Sequence, residues 1–327
     1  MIKISDNQNR NDDFRPDRDA MSWLNLINNK LEEHPEKGAL PEAPVLFVTG
    51  SPRSGTTITA QALCQFLDVG FIDNLAAKFW QAPVTGLRLS QATFGADRKS
   101  YFSSQYGRTE GSDIHGFHYF WMEQLKLDNA DSLFSDPQSR NVDWGRICAH
   151  IAEMQREVSK PFLFKGYYPS YFMADVCRNI PNSVFIITDR DPLPQALSIL
   201  EARERILKDS AMWWSMVPPN VKTLIGAPVE DQIIGQILGI NGYFRDQIAE
   251  AGDSIRHMYV SYEDLVDNPL MTLERIRERL VALTGKDFGS RETVPKMKPR
   301  EVIDRENSWV KKFSEKLALV EYTRSVN

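Results

Sequence analysis

Val45, Leu46, Phe47 and Val48 form a continuous apolar run that leads, through Thr49, into Gly50-Ser-Pro-Arg-Ser-Gly55. Such a run fits a strand buried on both faces, the habit of parallel sheets covered by helices. The glycines have the spacing G-x-x-x-x-G, and Ile58 to Phe66 can continue as a helix. Backbone N–H groups of such a turn, added to the positive end of a helix, make an anion site. A loop that hydrolyses nucleoside triphosphates carries lysine directly after its second glycine, to reach the β- and γ-phosphates. Thr56 stands there instead, and the cation lies inside the loop as Arg53. The loop suits phosphate, but not an ordinary γ-phosphate.

Two later segments repeat the strand-then-polar pattern. Ser183-Val-Phe-Ile-Ile-Thr-Asp-Arg190 is again a buried-type strand, with Arg190 at its carboxyl end, Pro192 next and Ser198 about two turns into the following helix. Val260-Ser-Tyr-Glu-Asp-Leu-Val-Asp-Asn-Pro269 leads into an amphipathic helix. Together with the first loop, these segments resemble the sulfotransferases that use 3′-phosphoadenosine 5′-phosphosulfate. That family carries a Lys- or Arg-Ser-Gly-Thr-Thr core in its 5′-phosphosulfate loop, an Arg-x-Pro with serine eight positions after the arginine at its 3′-phosphate site, and often Tyr-Glu-Asp-Leu-x-x-x-Pro before a packed helix. The resemblance spans residues 44 to about 283 and implies an α/β fold with a central parallel sheet flanked by helices.

It also implies site roles. Arg53, Ser54, Gly55, Thr56 and Thr57 would cradle the 5′-phosphosulfate, and Arg190 with Ser198 would hold the 3′-phosphate. Arg53 departs from the lysine of the cytosolic branch and stays charged, which weakens any claim that it donates a proton. Lys165 ends the short strand Phe162-Leu-Phe-Lys165, where open α/β sheets place ligand-binding residues, and is expected near the sulfate or the acceptor. For the base, His115 comes first and His118 second, in an aromatic stretch resembling one in some bacterial sulfotransferases, because histidine accepts a hydroxyl proton near neutrality. Asp73, beyond the phosphate-loop helix where several branches carry a carboxylate, is the rival. Each has a plainer alternative, a buried side chain bonded to backbone. Arg305, before Trp309, resembles a basic residue that closes over the 3′-phosphate, or simply precedes an amphipathic helix.

The rest of the chain sets limits. With 327 residues, 42% of them hydrophobic and 25% charged, a sizeable core is available. A net charge of −5 and the lack of a Lys/Arg-rich tract argue against a nucleic-acid partner. Cys64, Cys148 and Cys177 are widely spaced and suggest neither a disulfide framework nor a metal site; Cys64 is expected in the core. No stretch approaches eighteen apolar residues, so we expect a cytoplasmic protein without a membrane partner. Residues 1–43 read as an extension with a short helix near Ser22 to Glu33, and 44–327 as one domain. Helices are expected at Thr57–Leu67, Trp144–Val158, Met173–Asn179, Leu193–Lys208 and Glu230–Ala251. Segments 68–143 and 212–228 read as loops and short helices that carry substrate choice.

The leading reading is sulfuryl transfer to a hydroxyl of a carbohydrate or small-molecule acceptor, with no metal. A P-loop nucleotide kinase or NTPase with a degenerate loop comes second, with Asp189 as its metal-binding residue. A nucleotide-binding protein without turnover is third.

Overall fold

A computed structural model describes residues 17–95, 100, 102–291, 297 and 303–326, the side chains of 320–326 aside. The amino-terminal half runs α1 (Arg18–Lys30), β1 (Val45–Thr49), α2 (Thr56–Phe66), β2 (Gly70–Phe71), α3 (Pro83–Phe94), α4 (His118–Gln124), α5 (Trp144–Val158), β3 (Phe162–Lys165) and α6 (Met173–Asn179). There follow β4 (Ser183–Asp189), α7 (Pro192–Leu207), α8 (Val221–Leu224), α9 (Val229–Ala251), β5 (His257–Ser261), α10 (Tyr262–Asp267), α11 (Pro269–Thr284) and α12 (Ser308–Val326).

The five strands pair in parallel in the order β2-β3-β1-β4-β5, as the apolar runs predict. Alternation along each strand divides the core in two. Phe47, Phe162, Phe164 and Phe185 point to one face, where Phe47 stacks on Phe164 and Phe185 at 5.7 and 5.1 Å between ring centroids. Leu46, Val48, Leu163, Val184 and Ile186 point to the other, against α2 and α11. Each fully buried side chain of this size contributes roughly 1.5–3 kcal/mol. This is the α/β fold with a parallel sheet flanked by helices that the resemblance implied.

Strand order also places the site. The chain leaves β1 toward β3 and β2 on one side and then crosses to β4 on the other, so the carboxyl end of β1 lies at a topological switch point, where open α/β sheets bind ligands. Registers align Val48 with Lys165, Thr49 with Ile187 and Asp189 with Ser261, which brings the carboxyl ends of four strands, β3, β1, β4 and β5, to one edge.

Helix limits follow local caps. Asp17 accepts from Asp19 N and Ala20 N and starts α1 four residues earlier than expected. Asp191 accepts from Leu193 N, and Pro192 follows it as the first residue of α7. Among the described residues of the irregular 68–143 segment, the chain forms two α-helices, α3, opened by Pro83, and the shorter α4. Trp80 and Phe117, from the same segment, are core residues at 6% and 1% exposure. Cys64 is buried as expected.

Candidate active site

The loop after β1 is pinned from below. Ser54 Oγ and Thr188 Oγ1 share a hydrogen bond of 2.7 Å, and Thr188 donates on to Thr49 O at 3.1 Å. A side chain at Gly50 would run into Thr188 Oγ1 and Ser54 Oγ and lie 2.7 Å from the Thr188 carbonyl, so the closeness of the two strands requires glycine there. Gly55 caps α2 at φ 97°, with the Tyr262 ring packed where a Cβ would be. Arg53 also takes a left-handed conformation, φ 65°, which costs an ordinary residue energy and is a mark of functional turns. Ser54 N closes the turn onto Ser51 O at 3.1 Å. The first N–H groups of α2, those of Thr56 and Thr57, lack intrahelical acceptors by geometry and point their dipole at the loop mouth.

Arg53 is the hub. Its Nε donates to Ser198 Oγ at 2.8 Å, and its guanidinium lies 5.3 Å from the Tyr106 ring centroid. Arg190 Nη1 donates to the Arg53 carbonyl at 3.0 Å, and its guanidinium stacks 4.3 Å over the Tyr262 ring. Thus residues 137 and 145 positions downstream of Arg53 converge on it. Burial, and then the neighbouring Arg190 charge, push the Arg53 pKa down. Among the described residues neither arginine has a carboxylate partner, and Arg190 Nε is a buried donor without any acceptor. Two close cations and an orphaned donor are arranged to receive an anion.

Lys165 supplies a third cation. Its Nζ donates to Thr57 Oγ1 at 3.0 Å and to Gly107 O at 2.7 Å, which ties the Tyr106-Gly107 turn over the loop. Burial, then repulsion from Arg53, draws its pKa down to about 8.

His115 accepts the Phe117 N–H at Nδ1, 2.9 Å away, so its neutral ring carries the proton on Nε2. Burial foremost, then the charges of Lys165, Lys78 and Arg108, draws its pKa down to about 4. The His118 ring lies 5.7 Å from that of His115 and packs edge-on against Tyr167 and Tyr168 at 5.6 and 5.9 Å. Asp73 is fully buried: Oδ1 accepts Leu75 N at 3.0 Å and Ala76 N at 2.8 Å, and Oδ2 accepts the Ser90 hydroxyl. An antiparallel bridge to Ile114 sets its backbone beside that of His115. Arg305 is exposed in the turn before α12, and no hydrogen bond or ion pair joins it to the loop residues.

Sequence reasoning missed three contributors. Thr188 holds the loop from β4, and Tyr106 covers Arg53 while its hydroxyl donates to Glu201 at 3.0 Å. Gln195, fully buried, donates through Nε2 to Ser51 Oγ at 2.7 Å and to Pro52 O at 2.6 Å. Only Gln195 left a trace in the sequence: it precedes Ser198 by three residues, which on a helix is the same face. The Tyr-Glu-Asp segment gains a physical reason, since Tyr262 is the surface on which Arg190 and Gly55 rest.

A glycine-bearing loop after the central strand of a five-stranded parallel sheet flanked by helices is the P-loop-like fold of the sulfotransferases. Residues 44–281 match the sequence profile of the sulfotransferase family, and the chain belongs to that family. No curated protein matches it. Among solved structures it is similar to sulfotransferase STF1 from Mycobacterium tuberculosis H37Rv, at 16% identity and TM-score 0.44, covering 80% of this chain and 72% of that one. Sulfotransferase STF9 from Mycobacterium avium aligns at 13% identity and TM-score 0.44 over 81% and 71% of the two chains. The sulfotransferase domain of the Synechococcus PCC 7002 olefin synthase aligns at 17% identity and TM-score 0.38, over 78% of each. No helix among the described residues is long and apolar enough to cross a membrane.

Proposed function

We propose that the chain moves the sulfuryl group of 3′-phosphoadenosine 5′-phosphosulfate to a hydroxyl of a carbohydrate or small-molecule acceptor, without a metal. The observation that carries this reading is the convergence of Arg190 and Ser198 on Arg53, with Arg190 Nε left without an acceptor in a buried position. A donor with phosphates at both 3′ and 5′ positions gives the two arginines separate tasks. A degenerate NTPase leaves Arg190 and Ser198 without one.

In this reading the donor supplies a sulfuryl group on a good leaving phosphate, and the acceptor oxygen forms the new S–O bond as the bridging S–O bond breaks. The N–H groups of Gly55, Thr56 and Thr57, with Arg53, offset the charge that builds on the leaving phosphate. Ser54 serves by locking the loop, since its hydroxyl and N–H are both engaged within the protein. Lys165 faces the sulfuryl oxygens beside Thr57. Arg190 takes the 3′-phosphate, joined by Ser198. His115 is our choice for the acceptor's proton ahead of Asp73, whose two oxygens are already engaged by Leu75 N, Ala76 N and the Ser90 hydroxyl. Either nitrogen accepts only once the Phe117 N–H is released, at Nδ1 directly or at Nε2 after the ring proton moves to Nδ1.

Calorimetry tests the donor: adenosine 3′,5′-bisphosphate should bind in EDTA, and ATP with Mg²⁺ should not compete with it. The opposite preference would move the chain to the NTPase reading. Radiolabelled sulfate transfer to a panel of hydroxyl acceptors then separates an enzyme from a binding protein.

A further inference from the structure

We infer that Gln195 is a positioning residue for the phosphate loop, one that sets which way the Pro52–Arg53 peptide faces; this rests on the donor reading above. The side chain is completely buried on α7, and its Nε2 makes two short bonds, 2.7 Å to Ser51 Oγ and 2.6 Å to Pro52 O. Its Oε1 has no partner. Turning the amide over would set that oxygen against the Pro52 carbonyl, two acceptors face to face, so the orientation with the orphaned oxygen is the favourable one. A hydrocarbon side chain of the same volume would avoid burying an unsatisfied oxygen. What glutamine adds is the pair of N–H donors aimed at the loop.

The consequence follows from the planarity of the peptide. A trans peptide sends the carbonyl of residue 52 and the N–H of residue 53 in opposite directions. With Pro52 O drawn down to Gln195, the Arg53 N–H is turned away from α7. The next carbonyl, that of Arg53, is drawn off by Arg190 Nη1 at 3.0 Å. Two consecutive carbonyls of the loop are therefore tied down by donors, so neither oxygen is left to repel an anion at the loop. The same stretch of α7 delivers Ser198 to the Arg53 side chain, one turn further on. One helix thus fixes both the backbone and the side chain of Arg53, while Arg53 keeps its left-handed φ of 65°. The role falls on the 5′ end of the donor, whereas Arg190 also acts at the 3′ end.

Two probes read that difference on the full chain: adenosine 3′,5′-bisphosphate, and adenosine 3′-monophosphate, which lacks the 5′-phosphate, followed by its displacement of the bisphosphate. Gln195→Leu should weaken bisphosphate about 10- to 100-fold, the loss of two hydrogen bonds that hold the loop, and leave the monophosphate within about twofold. Thermal stability should fall only modestly, because the loss of the donor to Pro52 O is offset in part by removal of the orphaned oxygen. Gln195→Met, longer and more adaptable, is the second variant and should behave alike. An unchanged ratio of the two affinities overturns the inference. So does an equal loss for both probes accompanied by a lower Tm, or a failure of both variants to fold, since either makes Gln195 a stability residue only. If the parent itself fails to bind bisphosphate, the donor reading falls first and separately.

Discussion

Arg190 is the side chain with the most to lose, because its guanidinium is stacked on Tyr262, bonded to the loop and still holds a buried donor in reserve. Removing it by Arg190→Ala should weaken bisphosphate binding by roughly 1.5–3 kcal/mol, the range of hydrogen bonds to charged groups. Calorimetry that finds parent-like affinity would reject the 3′-phosphate role. Lys165 and His115 make a second prediction through pH. With pKa values about 8 and about 4, they bracket neutrality, so kcat/KM should rise through an acidic limb near 4 and fall above 8 if the Lys165 charge is needed. Histidine alone would have suggested an acidic limb near 6.5; burial beside three cations is what moves it. Lys165→Arg keeps the charge and should abolish the alkaline limb. His115→Asn should cost about 10²–10⁴-fold in kcat with bisphosphate affinity nearly intact. Should Asp73→Asn stop turnover in a folded protein while His115→Asn stays active, the carboxylate takes the base role.

At the scale of elements, β1, β4, α2 and α7 act as one clamp on the loop. Gly50 follows β1 and packs against Thr188 of β4, and a methyl group there meets a backbone carbonyl that cannot rotate aside. Gly50→Ala should therefore lose about 1–3 kcal/mol of stability in urea titrations and weaken bisphosphate binding with it. Gly242, in the middle of α9, is the control: its nearest neighbour would be the Arg245 Nη2 tip at 3.9 Å. Gly242→Ala should stabilise by about 0.5–1 kcal/mol from helix propensity alone. A loop indifferent to Gly50→Ala would mean that the clamp is looser than these contacts imply.

For the whole molecule, the buried histidines set the response to acid. His150 on α5 is 1% exposed, its Nδ1 has no acceptor or donor, and burial draws its pKa down to about 4. In the unfolded chain it titrates near 6.5, so between pH 6.5 and 4 the unfolded state binds a proton that the folded state refuses. Its contribution is present above 6.5 and is lost as pH falls toward 4, by roughly 3 kcal/mol. His115 adds to the loss in the same direction. Urea unfolding across that window should show the decline, and His150→Leu should flatten it; a decline of equal slope in the variant would assign acid sensitivity elsewhere.

The parallel sheet was legible in the sequence because a strand buried on both faces leaves no polar alternation, and the runs at 45–48, 162–164 and 184–187 say so directly. The loop, its arginine and the Arg190–Ser198 spacing were legible for a similar reason: a glycine spacing, a helix start and a strand end are local patterns, written in consecutive residues. What the local sequence could not hold is which side chains meet across the sheet. Gln195 and Thr188 reach the loop from β4 and the helix after it, Lys165 reaches Thr57 from β3, and Tyr262 reaches Arg190 from beyond β5. Burial belongs to the same category. The sequence names His115 as a group that can carry a proton, but its basicity depends on desolvation and on the neighbouring charges of Lys165, Lys78 and Arg108. Those are properties of packing between distant segments, and only the folded chain decides them.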